Sequence, residues 1–172
     1  MEEIDRSKIK IRNYRKSDYE ETLALMEEMA ENFSIYFNKK KWNESSGLRL
    51  FQPGYSRTTL IAEIEGTGVV GMGFIELQKS PDGLNIGFLS NWGIKKEFRG
   101  YSIGKLLAEK AIKMLTKMKA DLVRIRIAMH PEKIKEHVLK LVKHIGFEPI
   151  YITVEKKING AGKGEEKPNY SF

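Results

Sequence analysis

The chain has 172 residues, enough for one domain with a substantial core, and its 41% hydrophobic and 31% charged content excludes a disordered polypeptide. No apolar run approaches the roughly 20 residues that span a bilayer. Lys and Arg (30) outnumber Asp and Glu (23) for a net charge of +7, and the absence of Cys excludes a disulfide frame, a thiolate nucleophile and thiol metal sites.

Ile9 to Arg12 alternates as a first strand. Asp18 is placed to cap a helix with Leu23, Leu25, Met26 and Met29 on its apolar side and Glu20 and Glu21 in its first turn. From Asn32 to Pro53 aromatic residues lie among polar ones, a pattern for a shorter helix with loops; these aromatics are core or the lining of a substrate cleft, with core expected for most of them. Thr58–Ile64, Val69–Leu77 and Leu84–Ile94 then read as three strands of an antiparallel meander, joined by Glu65–Gly68 and by the strong turn Ser80-Pro81-Asp82-Gly83. Gly71 and Gly73 sit within a strand and lack a third glycine, so they let another element pack close and do not form a dinucleotide fingerprint.

A helix follows over Ser102–Lys119, with Ile103, Leu106, Leu107, Ala111, Met114, Leu115 and Met118 at helical spacing. Val123, Ile125 and Ile127 alternate with Arg124 and Arg126 in the next strand. A helix from Pro131 or Glu132 ends at Gly146, and Ile150–Ile158 makes a final strand. The expected order, β-α-α-β-β-β-α-β-α-β, is an α/β mixed sheet in which a meander leads into a β-α-β crossover. Residues 1–158 are expected to form one domain and 159–172 a tail or hairpin extension. The acidic N-terminal residues lack the pattern of a signal peptide, which points to the cytoplasm.

Chemistry concentrates between the meander and the long helix. A strand that feeds a Gly-containing turn and then a helix gathers free backbone N–H groups at the positive helix end, the recipe for an anion site. Here that stretch is Arg99-Gly100-Tyr101-Ser102-Ile103-Gly104-Lys105. Gly100 and Gly104 allow close approach, Ser102 brings a hydroxyl or a helix cap, and Lys105 or Arg99 can add charge. A Walker loop is excluded because the glycine spacing is one residue short and Leu106 follows Lys105.

With Trp92-Gly93-Ile94 before this turn and Ile145-Gly146-Phe147 after it, the chain resembles the GNAT superfamily of acetyl-CoA-dependent N-acetyltransferases. The family pattern at the turn is Gln or Arg, two variable residues, Gly, one variable residue, then Gly or Ala; Arg99 and Gly104 match, and Ser102 replaces the first glycine. The resemblance implies acetyl-CoA as co-substrate, bound by Trp92, Gly93, Ile94, Arg99, Gly100, Tyr101, Ser102, Ile103, Gly104 and Lys105. It also implies a strand splayed from its parallel neighbour, Leu122 to Ala128, near Trp92. Arg124 and Arg126 on that neighbour suggest a partly open face, or pairing with acids.

The family's usual reaction is direct attack of a neutral amine on the thioester, which requires no Cys. The candidate base is His130 or Glu76, with Asn91 able to orient a water but not to take a proton. The family's usual acid, a Tyr four residues before the Gly of Gly-Phe, is Val142 here; Tyr101, Tyr151 or a water are the substitutes. No metal-ligand cluster is visible, and His137 and His144 read as surface residues. The expected partners are therefore acetyl-CoA and an amine acceptor, small molecule or peptide, with a homodimer left open. A second function is also open: an acyl-CoA-binding sensor with the same fold and no turnover. The positive charge is accounted for by a solvated Lys/Glu-rich surface, since no nucleic-acid recognition motif or membrane segment accompanies it.

Overall fold

The structure, a computed structural model, describes residues 6–33, 36–52, 54, 56–126, 139–140 and 142–148. Its centre is a five-stranded sheet in the order β1-β2-β3-β4-β5, with β1 Ile9–Asn13, β2 Arg57–Ile64, β3 Gly68–Lys79, β4 Asn85–Ile94 and β5 Leu122–Ile125. β1 to β4 pair antiparallel, whereas β5 pairs parallel to β4 after the crossover helix α3, Ile103–Lys117. Helices α1, Tyr19–Phe33, and α2, Lys39–Glu44, come between β1 and β2. This is the mixed sheet that the alternating runs and short turns predict. Expected features beyond 126, namely the end of the fifth strand, most of the following helix and the strand 150–158, lie outside the described residues.

Two apolar layers hold the sheet. On one face Leu60, Ala62, Ile75 and Leu89 meet Leu107, Ala111 and Leu115 of α3. On the other, Ile61, Val69 and Met72 meet Leu25, Met26 and Met29 of α1. The four apolar positions read from the α1 periodicity, Leu23, Leu25, Met26 and Met29, are all buried. Arg126 is exposed, with its guanidinium carbon 5.4 Å from the Phe88 ring centroid, whereas Arg124 is half-buried.

β4 carries one residue more than its partner. Phe74 pairs with Ser90 and Met72 with Gly93, so Asn91 and Trp92 together oppose Gly73. This is a β-bulge, with Asn91 at φ 48°, a left-handed conformation that Asn tolerates better than most residues. The Trp92 ring fills the space over Gly73. A Cβ at position 73 would lie 2.3 Å from Cε3 of the indole.

Asp18 does not cap α1. Its carboxylate accepts two bonds from the Arg12 guanidinium, at 2.7 and 2.8 Å, and one from the Arg15 backbone N–H at 2.7 Å. Arg12 also donates to Glu63. Burial pushes the Asp18 carboxyl up, but the bonds from Arg12 and Arg15 together outweigh that and hold its pKa below the usual carboxylate value. The helical turn at 142–144 ends in a Schellman motif around Gly146, with Phe147 N–H donating to Val142 O and Gly146 N–H to Lys143 O, both at 3.0 Å. Among the described residues, no helix is long and apolar enough to cross a membrane.

Two outcomes test these contacts. Gly73→Ala should cost about 1–3 kcal/mol by overpacking, a fall in Tm of roughly 2–10 °C, and much less in a Trp92→Ala background. A depressed carboxyl contributes stability above its unfolded pKa of about 3.9 and loses it as pH falls through the lower folded value. Asp18→Asn should therefore lower stability at pH 7 by about 1.5–3 kcal/mol, and the gap to wild type should close below pH 4 in denaturant titrations.

Candidate active site

After β4 the chain makes a one-turn 3-10 helix, Lys96–Phe98, before α3. Lys95 N–H donates to Val70 O at 2.9 Å, which fixes the start of this turn on β3. Gly100 then takes φ 89° and Ser102 φ 63°, and the first helical bond runs from Leu106 N–H to Ser102 O at 3.1 Å. The N–H groups of Ile103, Gly104 and Lys105 thus have no acceptor within the helix, and they lie at its positive end. The space beside them is open. A Cβ at Gly100 would meet nothing within 4 Å, and one at Gly104 only Nε1 of Trp92 at 3.9 Å. An open, N–H-rich backbone of this kind can take a phosphate.

The side chains contribute differently from expectation. Ser102 makes no capping bond through its hydroxyl; its left-handed backbone gives the physical reason for a glycine there in the family pattern, because such a conformation costs a non-glycine residue roughly 1–2 kcal/mol. Arg99 is occupied: Nε donates to Ile94 O at 3.0 Å and Nη2 to Glu28 at 3.2 Å. Glu28 also accepts from Lys96 N–H at 3.1 Å, so α1 holds the turn from behind. That leaves Lys105, half-buried in the first turn of α3, as the cation of the stretch available to an anion. Ile103 is buried in the core, with Tyr101, Trp92 and Ile94 packed around the same cluster, so Ile103 offers only its backbone.

On the opposite face of β4, Asn91 lines a cavity of about 210 Å³ together with Trp42, Arg49, Thr59, Met72 and Phe74. Asn91 and Trp92 therefore serve two sides of the sheet from adjacent positions. Glu76 lies on the same face as Phe74 by strand alternation, opposite Phe88, and its carboxylate accepts from Gln78 at 2.9 Å without lining the cavity. His130 lies outside the described residues, as do His137, Tyr151 and the splay of the two parallel strands. The parallel pairing is described as far as Arg126 N–H to Leu89 O, 3.0 Å. Val142 is buried, with no proton to exchange at that position, and His144 is exposed. Among the described residues no group of three or more His, Asp or Glu could hold a metal.

Arg49 was not apparent from the sequence, where it reads as one more basic residue of an irregular, polar stretch. It is only 3% exposed. Nη1 and Nη2 both donate to Trp42 O at 3.0 Å, and the guanidinium carbon lies 4.0 Å from the Trp42 ring centroid, 5.7 Å from Tyr14 and 6.0 Å from Tyr19. No carboxylate pairs with it among the described residues. Its Nε, the Trp42 Nε1 and the Thr59 Oγ1 are each buried without a hydrogen-bond partner there. An unsatisfied buried donor costs about 1–3 kcal/mol.

Comparison with known proteins agrees with this architecture. A profile of the acetyltransferase (GNAT) family matches residues 22–147. No curated protein matches the chain. Among solved structures, a Trypanosoma brucei acetyltransferase superposes with a TM-score of 0.68 at 17% identity, over 87% of this chain and 99% of its own. Glucosamine-6-phosphate N-acetyltransferase from Arabidopsis thaliana gives 0.68 at 16%, over 88% and 99%. A predicted acetyltransferase from Clostridium acetobutylicum, solved with acetyl-CoA, gives 0.69 at 13%, over 87% and 96%. At these identities the structures establish a shared fold, and the profile match over most of the chain establishes the kinship: this protein belongs to the GNAT acetyltransferase family.

Proposed function

We propose that the protein is an N-acetyltransferase that moves an acetyl group from acetyl-CoA to a primary amine of a small molecule or peptide. The observation that carries this reading is the turn before α3, where three N–H groups without helical acceptors adjoin the open backbone of Gly100 and Gly104. These groups and Lys105 fit the pyrophosphate of CoA, and the backbone of Trp92, Gly93 and Ile94 would take the pantetheine arm. The solved relative with acetyl-CoA supports that assignment by analogy of fold. Bound acetyl-CoA supplies an acyl thioester open to attack by a neutral amine.

This chain's residues have then to orient the amine and remove its proton. Asn91, beside the bulge and on the cavity wall, can hold a water or the amine by its side-chain amide. Glu76 and His130 remain the groups able to accept the proton. An α-amino group, with a pKa of about 8, needs far less assistance than a lysine side chain at about 10.4. The buried, proton-free Val142 favours a second reading, CoA binding without turnover, although a thiol of pKa about 8.5 can leave without a positioned acid.

Titration calorimetry with acetyl-CoA should give a clear heat for the wild type, and its absence would overturn both readings. Gly104→Glu should abolish that heat by filling the cradle with a like charge. Its folding should be unaffected, because the added Cβ meets only the edge of Trp92. Undiminished affinity in this variant would refute the assignment of the turn. A thiol-release assay across amines and peptides separates the two readings: release with any acceptor establishes transfer, and binding without release for every acceptor class favours the sensor.

A further inference from the structure

Trp92 is held in one orientation by the sheet. Its benzo edge lies on Gly73, where Cε3, Cζ3 and Cδ2 stand 2.3, 2.4 and 2.9 Å from the place a Cβ would take. The pyrrole N–H is on the other side of the same rigid ring, and it reaches α3: Nε1 lies 3.9 Å from the place a Gly104 Cβ would take. Cα–Cβ bonds of a helix tilt toward its N-terminus. That place is therefore on the side of the first turn where the N–H groups of Ile103, Gly104 and Lys105 have no helical acceptor. The indole N–H is itself unused. Trp92 is half-buried, with its ring against the core under α3, and Nε1 has no hydrogen-bond partner among the described residues. Of the two indoles only Trp42 has its unpartnered N–H buried, so the N–H of Trp92 retains access to solvent.

We infer that the Trp92 indole is a side-chain donor to the diphosphate of bound acetyl-CoA, acting together with the backbone N–H groups of the α3 turn. The identity of the ligand rests on the acetyltransferase reading. A diphosphate offers anionic oxygens in several directions, so a donor from β4 and donors from α3 can hold it at once. Tryptophan suits the position because its body packs on the sheet while its N–H stays available at the wet edge. A ring required only to fill the space over Gly73 would gain nothing from that N–H. The bulge in β4 is what brings the indole here, since the inserted residue turns Trp92, and not Asn91, toward α3. Gly73 then fixes the ring, so the donor is oriented before the ligand arrives.

The chain has two tryptophans, so the nitrogen–proton correlation spectrum of the labelled protein carries two indole peaks, and Trp42→Phe identifies the one from Trp92. Saturating acetyl-CoA or ADP should move that peak downfield and slow its exchange with water, whereas pantetheine, which has no phosphate, should not slow it. Replacing Trp92 by benzothienylalanine keeps the shape of the ring and puts sulfur in place of the N–H. Calorimetry should then show acetyl-CoA weakened roughly tenfold or more, the scale of a hydrogen bond to a charged group, with Tm unchanged. Trp92→Phe should weaken it at least as much. Undiminished affinity with benzothienylalanine refutes the donor role, as does an indole peak that responds to pantetheine and not to ADP. In either case the wild-type heat with acetyl-CoA leaves the acetyltransferase reading standing. Wild-type protein that gives neither heat nor a peak shift with acetyl-CoA overturns both.

Discussion

The extra residue in β4 is the constraint on which the two sides of this molecule depend. A strand alternates its side chains between faces, so one inserted residue reverses every assignment beyond it. Before the bulge Leu89 faces α3; after it Trp92 and Ile94 do, and Asn91 is left on the opposite face beside Met72 and Phe74. The insertion is accommodated because Gly73 presents no side chain to the indole. A single irregularity thus sets the approach to the α3 N-terminus on one face and the wall of a cavity on the other.

The two arginines withdrawn from water show how differently one chain can treat the same group. Arg12 joins Asp18 and Glu63 in a compact network that ties β1 to β2 and to the start of α1. Opposite charges at this separation, partly shielded from solvent, interact far more strongly than exposed pairs such as Lys10–Glu65. Arg49 has instead three rings and a carbonyl, all of which solvate a cation without neutralising it. Among the described residues the first arrangement pairs its charge with carboxylates, and the second does not.

Much of the fold was legible because it rests on local rules. Alternation gave β1 to β4, helical spacing gave α1 and α3, and Gly146 marked a helix end that proved to be a Schellman motif. The GNAT kinship was legible too, from short motifs set in that order of elements. What the sequence concealed were particular partnerships and backbone conformations. Asp18 looks like a helix cap until Arg12, six residues earlier, claims its carboxylate. Ser102 looks like a hydroxyl donor until its backbone is seen to be left-handed. Arg49 carries no local sign of burial, since its environment is assembled from α2, β2 and the segment before α1. Only the surroundings of Arg49 extend beyond a window of neighbouring residues; Asp18 and Ser102 turn on local conformation that residue type alone does not decide.

Arg99 has a consequence for how the family pattern itself is understood. Its Nε spans the turn to the carbonyl of Ile94, and its charge is matched by Glu28 rather than presented to the open side of the turn. What the position requires is then a long side chain ending in an N–H that reaches the preceding strand. A neutral amide meets that requirement as well as a guanidinium does, which explains why the pattern admits Gln or Arg there with apparent indifference to charge. In this chain the first residue of the motif is a tie-rod that sets the pitch of the turn.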